Sequence, residues 1–133
     1  MARVDTGTIF VVDDDPGVLA SLRFLLETEG FDVKTFRSGG ALLRSVEAEA
    51  CDCFVIDYKL DDMDGLDLAT RLRKRHIGAP IIVITGYPDD EIEKKAAAAG
   101  AREVLLKPHL EENLVADVRS AVRERRDLLR TSP

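Results

Sequence analysis

Five short apolar runs alternate along this chain with five longer segments whose apolar residues recur at helical spacing. The runs cover residues 9–12, 31–36, 51–56, 80–84 and 104–106. Their brevity and β-branched content predict strands. Residues 9–12, 80–84 and 104–106 are apolar throughout, the pattern of parallel strands covered on both faces. Residues 31–36, Phe-Asp-Val-Lys-Thr-Phe, alternate instead, which predicts a half-exposed strand near a sheet edge.

The segments between the runs carry legible helix ends. Asp15-Pro16 is a cap followed by proline at the first helical position, and Gly30 closes that helix. Between them Val18, Leu22, Leu25 and Leu26 line one face. Asp89 and Asp90 are placed to cap the fourth helix, whose alanine run 96–99 stops at Gly100. The last helix sets Leu114, Val118, Ala121 and Val122 on one side. Strict alternation of strands and helices with short connections implies a parallel sheet with helices on both faces. Five such units predict an α/β, doubly wound five-stranded parallel sheet in the order 2-1-3-4-5, with five helices.

Composition narrows this to one domain. A chain of 133 residues, 45% hydrophobic and 33% charged, has apolar mass for a single core. With no linker and no internal repeat, residues 1–133 are expected to form one unit, its core spanning about 8–122 and a helical tail following over 123–133. The net charge of -6 opposes a phosphate backbone, so direct nucleic-acid binding is not expected. No apolar stretch approaches the roughly 20 residues of a membrane span or forms a secretory leader, which predicts a cytoplasmic protein without membrane insertion. Cys51 and Cys53 are the only cysteines. Placed two apart on a strand, they are expected to share one face as buried, inert thiols, because two cysteines cannot close a zinc site.

The chemistry lies after the strands. In open α/β sheets ligands sit outside the carboxyl ends of the strands, where strand order reverses. Strand 1 is followed by Asp13-Asp14-Asp15, strand 3 ends in Asp57, strand 4 in Thr85-Gly86 and strand 5 in Lys107-Pro108. With strand 1 beside strand 3, the carboxylates of Asp13, Asp14 and Asp57 converge, while Thr85 and Lys107 approach from the other side. Three carboxylates together need a cation, and Mg²⁺ with oxygen ligands suits them. Asp57 can then act as a nucleophile toward a phosphoryl group, forming a mixed carboxyl–phosphate anhydride. Lys107 can neutralise one phosphoryl oxygen, and the Thr85 hydroxyl with the following amide can donate to another. Each residue alone has an ordinary reading as a turn, cap or solvated lysine. The ordinary readings do not explain why four of five strands end in groups that one mechanism needs.

As an ordered set, these stretches resemble the receiver domains of two-component response regulators. They are Ile9-Phe-Val-Val-Asp-Asp-Asp-Pro, Phe54-Val-Ile-Asp-Tyr-Lys-Leu with Met63-Asp-Gly-Leu, Ile84-Thr-Gly, and Gly100-Ala with Leu106-Lys-Pro. The resemblance implies a flavodoxin-like receiver fold in which Asp13 and Asp14 hold Mg²⁺, Asp14 as the direct ligand. It implies that Asp57 is the phosphoacceptor and a metal ligand, with the backbone carbonyl of Lys59 completing the shell. Thr85 and Lys107 match the switch hydroxyl and the phosphate-binding lysine. The implied donor is a phosphohistidine on a sensor histidine kinase or histidine phosphotransfer protein. Such a module is no enzyme beyond its own phosphorylation and dephosphorylation.

Three positions depart from that family pattern. Asp61 stands where many members have proline, which predicts a more mobile and more acidic loop. Val104 stands three residues before the lysine, where an aromatic is usual, so the aromatic rotation of most members cannot report phosphorylation here. His109 follows Lys-Pro where an aromatic is common; it and His76 are expected at the surface. Lys59 and Tyr87, each two residues beyond a motif residue, are candidates to set the acyl phosphate's lifetime.

Residues 123–133 are too few for an output domain. The expected output is therefore contact with a downstream protein target by a stand-alone receiver, or phosphorylation-dependent homodimerisation through the fourth and fifth helices. An excised domain of a longer regulator is the other reading of the same end. The five arginines between Arg119 and Arg130 read as a solvated helix face. Two rival functions are weighed beside this one. A pseudo-receiver would keep the fold without phosphorylation, as Val104 allows. A haloacid-dehalogenase-like phosphohydrolase would use Asp13 and Asp15 as its Asp-x-Asp, but leaves Asp57 unexplained.

Overall fold

The computed structural model describes residues 7–45, 50–86, 89–107 and 110–131. Strands β1 (Thr8–Val12), β2 (Asp32–Phe36), β3 (Cys53–Asp57), β4 (Ile81–Thr85) and β5 (Glu103–Leu106) alternate with five helices. These are α1 (Pro16–Thr28), α2 (Gly39–Leu43), α3 (Gly65–Lys74), α4 (Asp90–Ala98) and α5 (Leu110–Thr131). All strands pair in parallel in the order β2-β1-β3-β4-β5, as the alternation predicts.

The helix ends follow the expected chemistry. Asp15 caps α1 by accepting from the Gly17 and Val18 amides, with Pro16 opening the first turn. Gly30 follows that helix at φ 99° and Gly100 follows α4 at φ 90°, the left-handed conformation that glycine adopts without a Cβ clash. Asp89 caps α4 through the Glu91 amide. Leu114, Val118, Ala121 and Val122 of α5 are buried together, and α5 continues to Thr131 through most of the expected tail. His76 is exposed, as expected, while His109 and Tyr87 lie outside the described residues.

Strand alternation divides the core into two layers. Ile9, Val11, Cys53, Val55, Ile82 and Ile84 face α1 and α5. Phe10, Val12, Phe54, Ile56, Ile81 and Val83 face α2, α3 and α4. The central strands β3 and β4 are buried at every position, which explains their unbroken apolar runs.

Residues 104–106 are covered on both faces, Val104 packing with the layer of α2, α3 and α4 and Leu105 with that of α1 and α5, but less fully than the central strands. Among the described residues β5 pairs with β4 alone, at the sheet edge, and Leu106 is 41% exposed. One expectation needs correction. The cysteines do not share a face. Cys51 packs in the layer of α2, α3 and α4, and Cys53 in that of α1 and α5. The strand begins at Cys53, so Cys51 precedes it and is freed from its two-residue periodicity. Both thiols are buried, and burial pushes Cys51 up to about 12 and Cys53 well above its usual range. The alternating run 31–36 does form an edge, β2, with Val33 turned inward and Asp32 and Lys34 outward.

Candidate functional site

The carboxyl ends of the adjacent strands β1, β3, β4 and β5 bring the predicted groups to one edge of the sheet. Asp13 follows β1, Asp57 ends β3, Thr85 ends β4 and Lys107 follows β5. Asp13, Asp57 and Thr85 are the buried polar side chains among the described residues. One carboxylate oxygen from each of Asp13, Asp14 and Asp57 lies within 4.8 Å of the others. Lys107 reaches in from the far side, its Nζ standing 3.2 Å from Oδ2 of Asp57 and 3.3 Å from Oδ2 of Asp13. Asp57, Lys59, Thr85, Gly86 and Lys107 line a cavity of about 350 Å³. All six residues singled out from the sequence therefore meet at this edge.

Burial governs the electrostatics. Desolvation pushes the Asp57 carboxyl up to about 6, the nearby Asp13 charge adds to this, and Lys107 opposes it. Asp13 is raised by desolvation too, against the pull of the Asp15 amide and Lys107. For Lys107, burial works against the charge, but the attraction of Asp57 and Asp13 outweighs it and holds the ammonium above its ordinary range.

The donor set fits a hard divalent cation. Asp13 is fully buried; its Oδ1 accepts from the Asp15 amide at 3.0 Å, while its Oδ2 accepts no hydrogen bond. A buried carboxylate oxygen that faces the Lys107 ammonium at 3.3 Å and makes no well-formed hydrogen bond, beside two more carboxylates, suits a metal ion. Asp15 takes no part, because its own carboxylate is committed to the amides of Gly17 and Val18. That removes the Asp13–Asp15 pairing on which the phosphohydrolase reading depends.

The loop after Asp57 holds features that sequence reasoning missed. It is anchored rather than loose. The backbones of Lys59 and Asp64 pair as an isolated antiparallel bridge, the Gly65 amide donates to the Tyr58 carbonyl at 2.7 Å, and Asp64 caps α3 through the Asp67 amide. Asp62 accepts from the amides of Gly39 and Gly40 at 3.2 and 2.9 Å, which ties the loop to α2 and holds its carboxyl below the usual range. Met63 packs against Gly39 so closely that a Cβ there would lie 2.6 Å from its sulfur. Asp61 faces the Asp14 side chain, and that contact raises its carboxyl above the usual range. The acidic run 61–64 was visible, but nothing local in it reveals that its four residues have different partners. Val104 is half-buried and lines a groove of about 250 Å³ between α4 and β5, with Ala96, Ala97 and Ala101.

Comparison with known proteins agrees with this geometry. The response regulator receiver domain family matches residues 9–119. The chain is 38% identical over 115 residues to response regulator protein TmoT of Ectopseudomonas mendocina, covering 86% of this chain and 52% of that one. It is 34% identical to transcriptional regulatory protein FixJ of Bradyrhizobium diazoefficiens, covering 89% and 58%. It thus spans about half the length of the curated relatives it matches. A receiver domain structure from Clostridium thermocellum superposes with a TM-score of 0.82 at 29% identity, covering 92% of this chain and 98% of that one. Among the described residues no helix is long and apolar enough to cross a membrane. With the sheet order, the acidic site and the relatives in agreement, this chain belongs to the response regulator receiver domain family, the signalling modules of two-component systems.

Proposed function

We propose that the chain accepts a phosphoryl group on Asp57 from a phosphohistidine of a sensor histidine kinase or histidine phosphotransfer protein. The observation that carries this reading is the position of Asp57: a buried carboxylate, 3.2 Å from the Lys107 ammonium and beside two further carboxylates, at the wall of an open cavity. A carboxylate oxygen of Asp57 attacks phosphorus, the P–N bond of the phosphohistidine breaks, and its electron pair stays on the imidazole. Lys107 compensates charge on the phosphoryl oxygens, and the Thr85 hydroxyl and Gly86 amide donate to them. Asp13, Asp14, Asp57 and the Lys59 carbonyl would hold Mg²⁺, whose charge offsets the carboxylates and the incoming phosphoryl group. Lys59, on the cavity wall, and Tyr87 would govern how water reaches the acyl phosphate. The module catalyses no other reaction in this reading. Its output is a protein–protein contact, with a downstream target or a second copy, and Val104 removes the usual aromatic reporter from that step. Residues 1–133 act here as one receiver unit of a cytoplasmic signalling pathway.

The test is incubation with Mg²⁺ and acetyl phosphate followed by intact mass measurement, with Asp57→Asn in parallel. One phosphoryl adduct on the wild type and none on the variant is the expected result. An adduct on both, or on neither even with phosphorylated kinases as donors, overturns the assignment of Asp57.

A further inference from the structure

The arginines of α5 do not form one solvated face. Arg119 is committed to Glu29, donating to its carbonyl and its carboxylate at 3.0 Å, and Arg126 stands 4.0 Å from Asp52. Arg125 differs: it is half-buried and, among the described residues, pairs with no carboxylate. Its Nη1 lies against Gly78, 3.3 Å from where a Cβ would stand. Arg73 of α3 flanks the same turn, donating to the carbonyls of Ile77 and Ala79 at 2.7 and 2.8 Å and to that of Gly100. Two guanidinium groups therefore meet at the amino end of the sheet, on a chain whose net charge is -6. Beside Arg125 runs a groove of about 300 Å³, walled by Gly78, Pro80, Ala121, Leu128 and Leu129. Its one acid, Glu124, is held by Arg102 at 3.2 Å. Leu128 and Leu129 repeat Ala121 and Val122 two turns on, so the stripe that packs α5 on the sheet continues in phase beyond its last buried residues. There the two leucines are 69% and 61% exposed. Apolar side chains rimmed by charge mark a contact surface, and a partly desolvated guanidinium without a carboxylate favours an anion.

We propose that this groove docks an acidic segment of a partner protein, with a carboxylate on Arg125 and an apolar side chain against Pro80, Leu128 and Leu129. Charge selects the occupant. A basic segment is repelled by Arg125 and Arg73, and a purely apolar one leaves Arg125 without an anion. Gly78 and Pro80 precede β4, whereas Asp57 ends β3, so the groove and the acidic site lie at opposite ends of the sheet. A partner seated here is held whether or not Asp57 carries a phosphoryl group.

Titration of the isotope-labelled full chain with the peptide acetyl-Glu-Leu-Leu-Asp-Glu-Leu-amide tests it, read by amide chemical shifts. Shifts should gather at Gly78, Ala121, Leu128 and Leu129 and spare Gly86 at the acidic site. Arg125→Glu is expected to weaken binding about tenfold, the scale of one charge-assisted hydrogen bond. A peptide with lysine in place of each acid should reverse the preference, binding Arg125→Glu and not the wild type. Leu128→Ser combined with Leu129→Ser, both exposed, should lose a comparable factor while the rest of the spectrum stays folded. A serine-for-leucine peptide, a thymidine oligonucleotide and phosphatidylglycerol vesicles probe charge alone, and equal or tighter binding by any of them overturns the proposal. So do shifts outside the groove, no shifts at all, or wild-type affinity in Arg125→Glu. Sedimentation of the chain alone covers the remaining occupant: a dimer that the leucine substitutions abolish would give the groove to a second copy and overturn the assignment to an acidic partner.

Discussion

Lys107 stands 3.2 Å from Oδ2 of Asp57, close enough that the lysine already compensates the charge on which phosphoryl transfer would be built. In Lys107→Met that compensation is gone before and during the reaction. Acyl-phosphate formation from acetyl phosphate with saturating Mg²⁺ should slow on the order of 10²-fold, the scale of losing one preorganised group that stabilises developing charge. Single-turnover rates followed by intact mass would show it, and an unchanged rate would remove Lys107 from the mechanism.

The raised Asp57 carboxyl makes a prediction about stability. The native state holds this proton up to about pH 6, whereas an ordinary aspartate releases it near 3.8. Native stability from this group is therefore fully present below about pH 4 and is lost as pH rises through about 6, a difference of about 3 kcal/mol. Asp57→Asn has no such proton to lose. In a chelator, to keep divalent ions out, urea unfolding should show the variant more stable at pH 7 and the gap closing toward pH 4. A gap that does not change with pH would contradict the burial argument.

Gly65 offers a purely steric test of the same site. A Cβ there would lie 2.6 Å from the Asp57 carbonyl oxygen and 3.1 Å from the Tyr58 Cα. Backbone cannot swing aside like a side chain, so Gly65→Ala should cost about 1–3 kcal/mol, in the range of overpacking. Because the displaced atoms belong to Asp57 and Tyr58, Mg²⁺ affinity should fall in the same variant. Full stability with full affinity would mean that the loop has slack.

Lys59 shares the cavity wall with Asp57 and Thr85. Truncation to alanine opens that wall to water, so the acyl phosphate of Lys59→Ala should decay faster, by roughly fivefold for ~1 kcal/mol of barrier. The decay of a pre-formed adduct in excess chelator measures this directly, and an unaltered half-life would exclude Lys59 as a shield.

How much of this could be read from the chain depended on the range of the interaction. Strand order and helix ends follow from local patterns, such as Asp15-Pro16 opening α1 and Gly100 closing after α4. The convergence of Asp13, Asp14, Asp57, Thr85 and Lys107 follows from strand order alone, since each is placed by the end of its strand. What stayed hidden is set by contacts between segments distant in sequence. Asp62 reaches back 22 and 23 residues to the α2 amides, and no periodicity encodes such a pairing. The cysteines misled for a smaller reason: a strand start shifted by two residues moved Cys51 out of register and into the other layer.

That shift gives the molecule an unplanned instrument. One thiol lies beneath the helices of each face, and neither can meet a reagent until the covering helices lift. Labelling kinetics resolved by peptide mass at Cys51 and Cys53 would therefore time the opening of the two halves separately. Run with and without the acyl phosphate, without any engineered probe, the pair would show which face of the protein carries the signal outward.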